Sequence, residues 1–196
     1  MTPVLSTAAV RALASIADRI FPADEETPGG TDLGVVDCVL AQLAGPWGNG
    51  ERMYRAGPFA RPPHSGHGWQ SELTPLEAFR RGLAALDEHA ARVHGAVLAD
   101  LPAAAQDALL ADLERGAVPG CGEPGGPAFF DLLLSACREG VFADPRYGGN
   151  RDGAAWAWIG FPGPRTGGFP HAVDGEPAAP PPAASAALAA RERRDG

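Results

Sequence analysis

A chain of 196 residues, 45% of them hydrophobic, is long enough for one domain with a core, with or without a tail, and its net charge of −8 argues against a protein that tracks a phosphate backbone. All 16 basic residues are Arg, which removes the Schiff-base amine, the P-loop lysine and the lysine general base from the available chemistry. The 26 Gly and 20 Pro make up nearly a quarter of the chain, so much of it is loop or tail.

Helix signals dominate from the start. Near residues 6–20, Leu13, Ile16, Ala17 and Ile20 share one face; Ser6 or Thr7 caps the start and Pro22 stops the helix. The acidic loop Ala23–Gly30 follows. Its carboxylates Asp24, Glu25 and Glu26 read as solvated side chains, with attraction of a basic partner as the functional alternative. Thr31 or Asp32 is expected to cap a second helix that turns Leu33, Val36, Leu40 and Leu43 inward and ends at Gly45–Pro46.

Residues 45–72 read as a long loop with one helical turn near Glu51–Tyr54, and Trp47, Tyr54, Phe59 and Trp69 are scattered through it. The strongest helix spans 74–94. Thr74 is the cap, Pro75 takes the first helical position and Glu77 completes a capping box. Leu76, Phe79, Leu83, Leu86, Ala90 and Val93 form its apolar stripe, and Gly95 ends it. A fourth helix after Leu101–Pro102 runs to about Arg115 with Leu109, Leu110 and Leu113 inward. A Gly/Pro linker leads to a fifth, about 127–142, carrying Phe129, Phe130, Leu133, Leu134, Cys137 and Phe142, and a short turn is expected near Ala154–Ile159. No period-2 run marks a strand. The expected fold is therefore all-α, a bundle of about five helices over residues 1–164, followed by a Pro/Ala-rich tail over 165–196. Its core is expected to include Leu13, Ile16, Leu40, Leu83, Leu86, Leu109, Phe130 and Leu133.

The chemistry-bearing motifs are few. Cys38, Cys121 and Cys137 are too scattered for a haem, iron–sulfur or disulfide framework; they read as free thiols, with Cys38 and Cys137 as small core residues. His64 and His67 could be half of a metal site, which needs three or four ligands, but they stand in a Gly/Pro loop, where a polar loop is the plainer reading. His89 and His94 lie five residues apart on the third helix and read as solvated. No serine stands in a G-x-S-x-G elbow and no G-x-G-x-x-G follows a strand. No apolar run approaches the roughly 18 residues of a membrane span, and the amphipathic N-terminus is not a signal peptide.

The most informative stretch is Asp144–Pro164, DPRYGGNRDGAAWAWIGFPGP. Gly148, Gly149 and Asn150 permit tight turns, Arg146, Arg151 and Asp152 can pin them, and Tyr147, Trp156, Trp158 and Phe161 add aromatic area. Trp, Tyr and Arg are the residue types that dominate interface hot spots. The alternative is that these side chains cap the core and staple the loop internally. The expected compromise is a segment folded on itself with one face for a partner, in which Tyr147, Asn150, Arg151, Asp152, Trp156 and Phe161 form or support that face.

Three blocks, Ala17–Val39, Leu83–Leu113 and Phe129–Pro164, resemble the gluconate 2-dehydrogenase subunit 3 family; the third is the most specific. The resemblance implies an all-helical accessory subunit, non-catalytic in itself, paired with a large flavoprotein of the glucose–methanol–choline oxidoreductase type that holds FAD and the catalytic histidine. A cytochrome subunit often takes the electrons in such complexes. The small subunit is thought to support folding and stability of its partner and, where it bears a twin-arginine signal, export. No catalytic, cofactor-binding or metal residue transfers to this chain. The missing signal implies a cytoplasmic chain, or an exported one if a partner carries it. Two other functions compete: a folding chaperone that releases the flavoprotein, and a stand-alone helical enzyme using a metal at His64 and His67.

Overall fold

The computed structural model describes residues 3–51, 53–59, 71–122 and 125–161, and within them it is all-helical with no strand. Six α-helices follow in order: α1 (Thr7–Ile20), α2 (Val35–Ala44), α3 (Pro75–His94), α4 (Ala103–Glu114), α5 (Gly126–Phe142) and α6 (Ala154–Trp158). Single 3₁₀ turns stand at Leu98–Asp100, Pro145–Tyr147 and Arg151–Gly153. The expected turn near Glu51–Tyr54 forms no helix among the described residues, and His64, His67, Trp69 and the tail over 165–196 lie outside them.

Local chemistry sets the helix ends. The Ser6 hydroxyl accepts from Ala9 N at 3.2 Å and starts α1. At α3 the capping box is complete: Thr74 Oγ1 accepts from Glu77 N at 3.2 Å, and Thr74 N donates to Glu77 Oε2 at 2.7 Å. That backbone N–H holds the Glu77 carboxyl below its ordinary pKa. Gly95, in the left-handed region, closes the helix.

The second helix starts later than expected. Thr31 is not its cap, because Thr31 N and Oγ1 both donate to the Asp18 carboxylate on α1, at 2.8 and 2.9 Å. The chain then turns through Gly34 at φ 81°, and α2 begins at Val35. Its buried face is Val35, Cys38, Val39 and Leu43, while Val36 and Leu40 are only partly buried. Leu33 is buried ahead of the helix rather than within it.

The core forms where α5 packs on α1, α2, α3 and α4, and α1 in turn touches each of those helices. Leu13, Ile16, Leu83, Leu86, Leu109 and Leu133 are fully buried, as their periodicity predicts, whereas Phe130 is partly buried and Val93 is exposed in the last turn of α3. Polar contacts tie the periphery. Arg19 on α1 holds Asp107 on α4 through two bonds of 2.7 and 2.9 Å, and the buried Gln106 amide donates to the Leu98 and Leu101 carbonyls. His89 corrects the solvated reading: it is buried between α3 and α4. Its Nδ1 lies 2.5 Å from Arg92 Nη2 and its Nε2 lies 3.7 Å from an Asp112 carboxylate oxygen. A guanidinium only donates, so Nδ1 accepts and the ring N–H points at Asp112.

One close approach decides how α3 meets α5. The Phe79 and Phe129 rings meet edge to face with centroids 5.8 Å apart, beside Gly82. A Cβ at Gly82 would fall 2.2 Å from the Phe129 ring. Gly→Ala in an exposed helix stabilises by about 1 kcal/mol. At Gly82 the sign reverses, because overpacking a filled core costs about 1–3 kcal/mol. Gly82→Ala is therefore expected to lower the thermal midpoint, read by circular dichroism, while Gly82 remains the best residue at that position.

Candidate functional site

The segment after α5 is built on the end of that helix. An α-helix leaves its last carbonyls without intrahelical donors. Here three donors from one short segment reach them. Asn150 N donates to Gly140 O at 2.7 Å, Asn150 Nδ2 to Ala143 O at 3.0 Å, and the Trp156 indole N–H to Phe142 O at 2.8 Å. The Asn150 side chain also accepts from Ala155 N at 3.0 Å through Oδ1, which fixes the start of α6. Asn150 is fully buried and sits in the left-handed region at φ 44°, a conformation Asn tolerates better than most residues.

Close backbone contact makes this geometry possible. A Cβ on Gly149 would lie 2.1 Å from Gly140 O, and one on Gly34 would lie 2.5 Å from Gly148 O. The start of α2, the end of α5 and the turn at 148–150 therefore meet backbone to backbone. Arg151 locks the same junction from outside: its N donates to Leu33 O at 3.0 Å, Nη1 to Asp32 O at 3.0 Å, and Nη2 to Asp37 Oδ2 at 2.9 Å. Arg146 folds back onto Asp144 at 2.7 Å, with its guanidinium 5.4 Å from the Tyr147 ring.

The six residues singled out from the sequence thus divide. Asn150 is internal, Arg151 is a staple to α2, and Trp156 spends its indole N–H on α5. Tyr147, Asp152 and Phe161 stand exposed, Asp152 in the left-handed region at φ 58°. The structure adds residues from distant parts of the chain. Phe21, at the end of α1, stacks edge to face on Phe142 and on Trp158, with centroids 6.2 and 6.0 Å apart. Phe161 packs against Trp156 at 4.9 Å. Phe142, Trp158, Ile159 and Phe161 are 38%, 47%, 52% and 40% exposed, so these apolar side chains are seated from below and open above. The sequence reading placed Phe142 on the fifth helix and Ile159 at the end of a short turn, did not single out Phe21, and linked none of them to this face, since nothing in one short window joins them.

Toward the other end of α5 lies a groove of about 310 Å³ between Trp47, Met53, Leu73, Pro75, Phe129 and Leu132. Its polar side chains are Ser71, whose hydroxyl accepts from Leu73 N, and Cys121, whose thiol burial pushes up. Cys38 and Cys137 are also buried and free. Burial raises both thiols, that of Cys137 to about 12, so both stay protonated at neutral pH. Among the described residues no cluster of three or more His, Cys, Asp and Glu is set to hold a metal, and no helix is long and apolar enough to cross a membrane.

These features define a helical bundle whose last carbonyls are capped by a pinned, aromatic-faced segment. A model of the family described as gluconate 2-dehydrogenase subunit 3 matches residues 8–163, and the chain belongs to that family, a family of accessory subunits of a dehydrogenase complex. The match runs from the first turn of α1 through all six helices and the segment up to Phe161. No curated protein and no solved structure matches the chain.

Removing the Asn150 side chain strands Ala143 O and Ala155 N in a buried place, where an unmet partner costs about 1–3 kcal/mol. Asn150→Ala is expected to lower the thermal midpoint by about 3–9 °C. Asn150→Gly relieves the left-handed backbone but loses the same bonds, so it recovers only part of the loss. Calorimetry of the two variants beside wild type measures both contributions.

Proposed function

We propose that this chain is the small, non-catalytic partner of a large FAD-bearing subunit of the glucose–methanol–choline type, and that it helps that subunit fold and stabilises it. FAD and the catalytic machinery belong to the large chain, which oxidises a sugar or an alcohol and can pass electrons to a cytochrome subunit. The small chain resides in the cytoplasm unless its partner carries it out.

The observation that carries this reading is the aromatic face on a fully pinned backbone, in a chain of the subunit 3 family. The polar side chains of Asn150, Arg151 and Trp156 are turned to internal use, at Ala143, Asp32, Asp37 and Phe142. The apolar side chains are turned outward. A face of large apolar groups held at fixed positions suits docking, because little side-chain entropy is left to lose on association. It also explains a stabilising role: burying it gains free energy only when the partner's matching surface is folded.

Two outcomes follow. The purified chain carries no flavin absorbance and has no dehydrogenase activity on sugars or alcohols; a yellow protein with stoichiometric FAD overturns the proposal. Co-expressed with its flavoprotein, wild-type chain retains that subunit through purification, whereas Trp158→Ala weakens the pair by about thirtyfold, the cost of truncating an interface anchor. A folded Trp158→Ala chain that binds the flavoprotein at wild-type affinity sinks the docking role of this face.

A further inference from the structure

The aromatic face has a charged border. Phe21, which carries Phe142 and Trp158, also closes the acidic loop: its carbonyl accepts from Gly30 N at 2.8 Å. Residues 22–29 are therefore looped out from the base of the aromatic cluster. Within that loop Asp24 is exposed, as expected, and it also organises the turn. Its Oδ1 accepts from Glu26 N, Thr27 N and Thr27 Oγ1 at 2.7–2.8 Å, and these bonds lower its pKa, so it stays charged and shapes the turn. Glu25 and Glu26 project from the turn it holds; both are exposed, and among the described residues neither carboxylate has an ion-pair partner. Asp152, exposed two residues before α6, adds a third such charge, while Arg138, one turn before Phe142, brings a positive one on the α5 side.

The ion-paired arginines of the chain do not neutralise this border. Arg11, Arg19, Arg115, Arg146 and Arg151 are paired with Asp100, Asp107, Asp112, Asp144 and Asp37. What is left over at the acidic loop is negative, in a chain whose net charge is −8. Unpaired charges beside an apolar patch contribute to encounter and register more than to affinity.

We infer that the occupant of this face is a surface of the flavoprotein subunit with an apolar centre, which receives Trp158 and Ile159, and a rim of Lys or Arg side chains opposite Glu25, Glu26 and Asp152. The inference rests on the proposed function and names the chemistry of its partner. The acidic turn steers the two subunits together, and the aromatic face then holds them.

The test uses the two-subunit complex, reassembled from the purified flavoprotein subunit and the full small chain, with association and dissociation rates followed across a salt series. Wild-type association slows as salt rises. The pair Glu25→Arg and Glu26→Arg lowers the association rate at low salt about tenfold and flattens its salt dependence, with the dissociation rate little changed. Its thermal midpoint matches wild type, since neither carboxylate has an internal partner to lose. Trp158→Ala shows the opposite pattern, a faster dissociation rate at unchanged salt dependence. An association rate indifferent both to salt and to the charge reversal overturns the basic-rim assignment while leaving docking intact. Absence of any binding by wild type overturns that assignment and the proposed function together.

Discussion

Everything at the C-terminal end of this bundle depends on how the last carbonyls of α5 are satisfied. Gly140 O, Phe142 O and Ala143 O all receive donors from residues 150–156, and Asn150 supplies two of the three. The same side chain supplies the acceptor for Ala155 N at the start of α6. One buried residue thereby couples the end of one helix to the beginning of the next. A run rich in glycine would otherwise sample many turns; here donors on 150–156 meet the helix carbonyls, and among the described residues no buried side-chain polar atom lacks a partner. The positions of Trp156, Trp158 and Phe161 follow from that arrangement.

The same economy runs through the rest of the fold. Non-helical segments are fixed to helices by short polar ties: Asp18 holds Thr31, Asp87 accepts from Leu98 N, and Arg80 on α3 donates to Val4 O ahead of α1. These ties sit around a core of leucines and two stacked phenylalanines and decide which loop conformation the core accepts. Most are partly exposed and contribute modest free energy one by one. Their effect is to remove alternative loop conformations.

Much of this was legible in the sequence, for reasons particular residues make plain. Ser6, and Thr74 with Pro75 and Glu77, are local signals, and α1 and α3 begin where they stand. The face of α2 was not legible, because VVDCVLAQLA is apolar nearly all round and periodicity cannot choose between Val36–Leu40 and Val35–Val39. His89 looked solvated because half of its environment, Asp112, comes from another helix. Composition located the segment after α5 and the residue types in it. It could not assign their directions: Asn150 turned inward and Ile159 outward because of carbonyls and rings contributed by α5 and α1. Phe142 read as one more apolar residue of the fifth helix, and its partner Phe21 comes from the end of α1, 121 positions earlier in the chain.

Where the turn at 148–150 closes over α2, the Gly149 N–H is directed at Cys38, so the pinned segment is the roof over that thiol. Alkylation of Cys38 then has a physical gate: the reagent waits for the segment to lift from α2. Cys137 is sealed instead by the packing of α5 itself. The two sulfurs keep time on two different events, partial detachment of one segment and opening of the bundle. A chain caught with Cys38 modified and Cys137 intact is one whose core has stayed shut while its aromatic face has come loose.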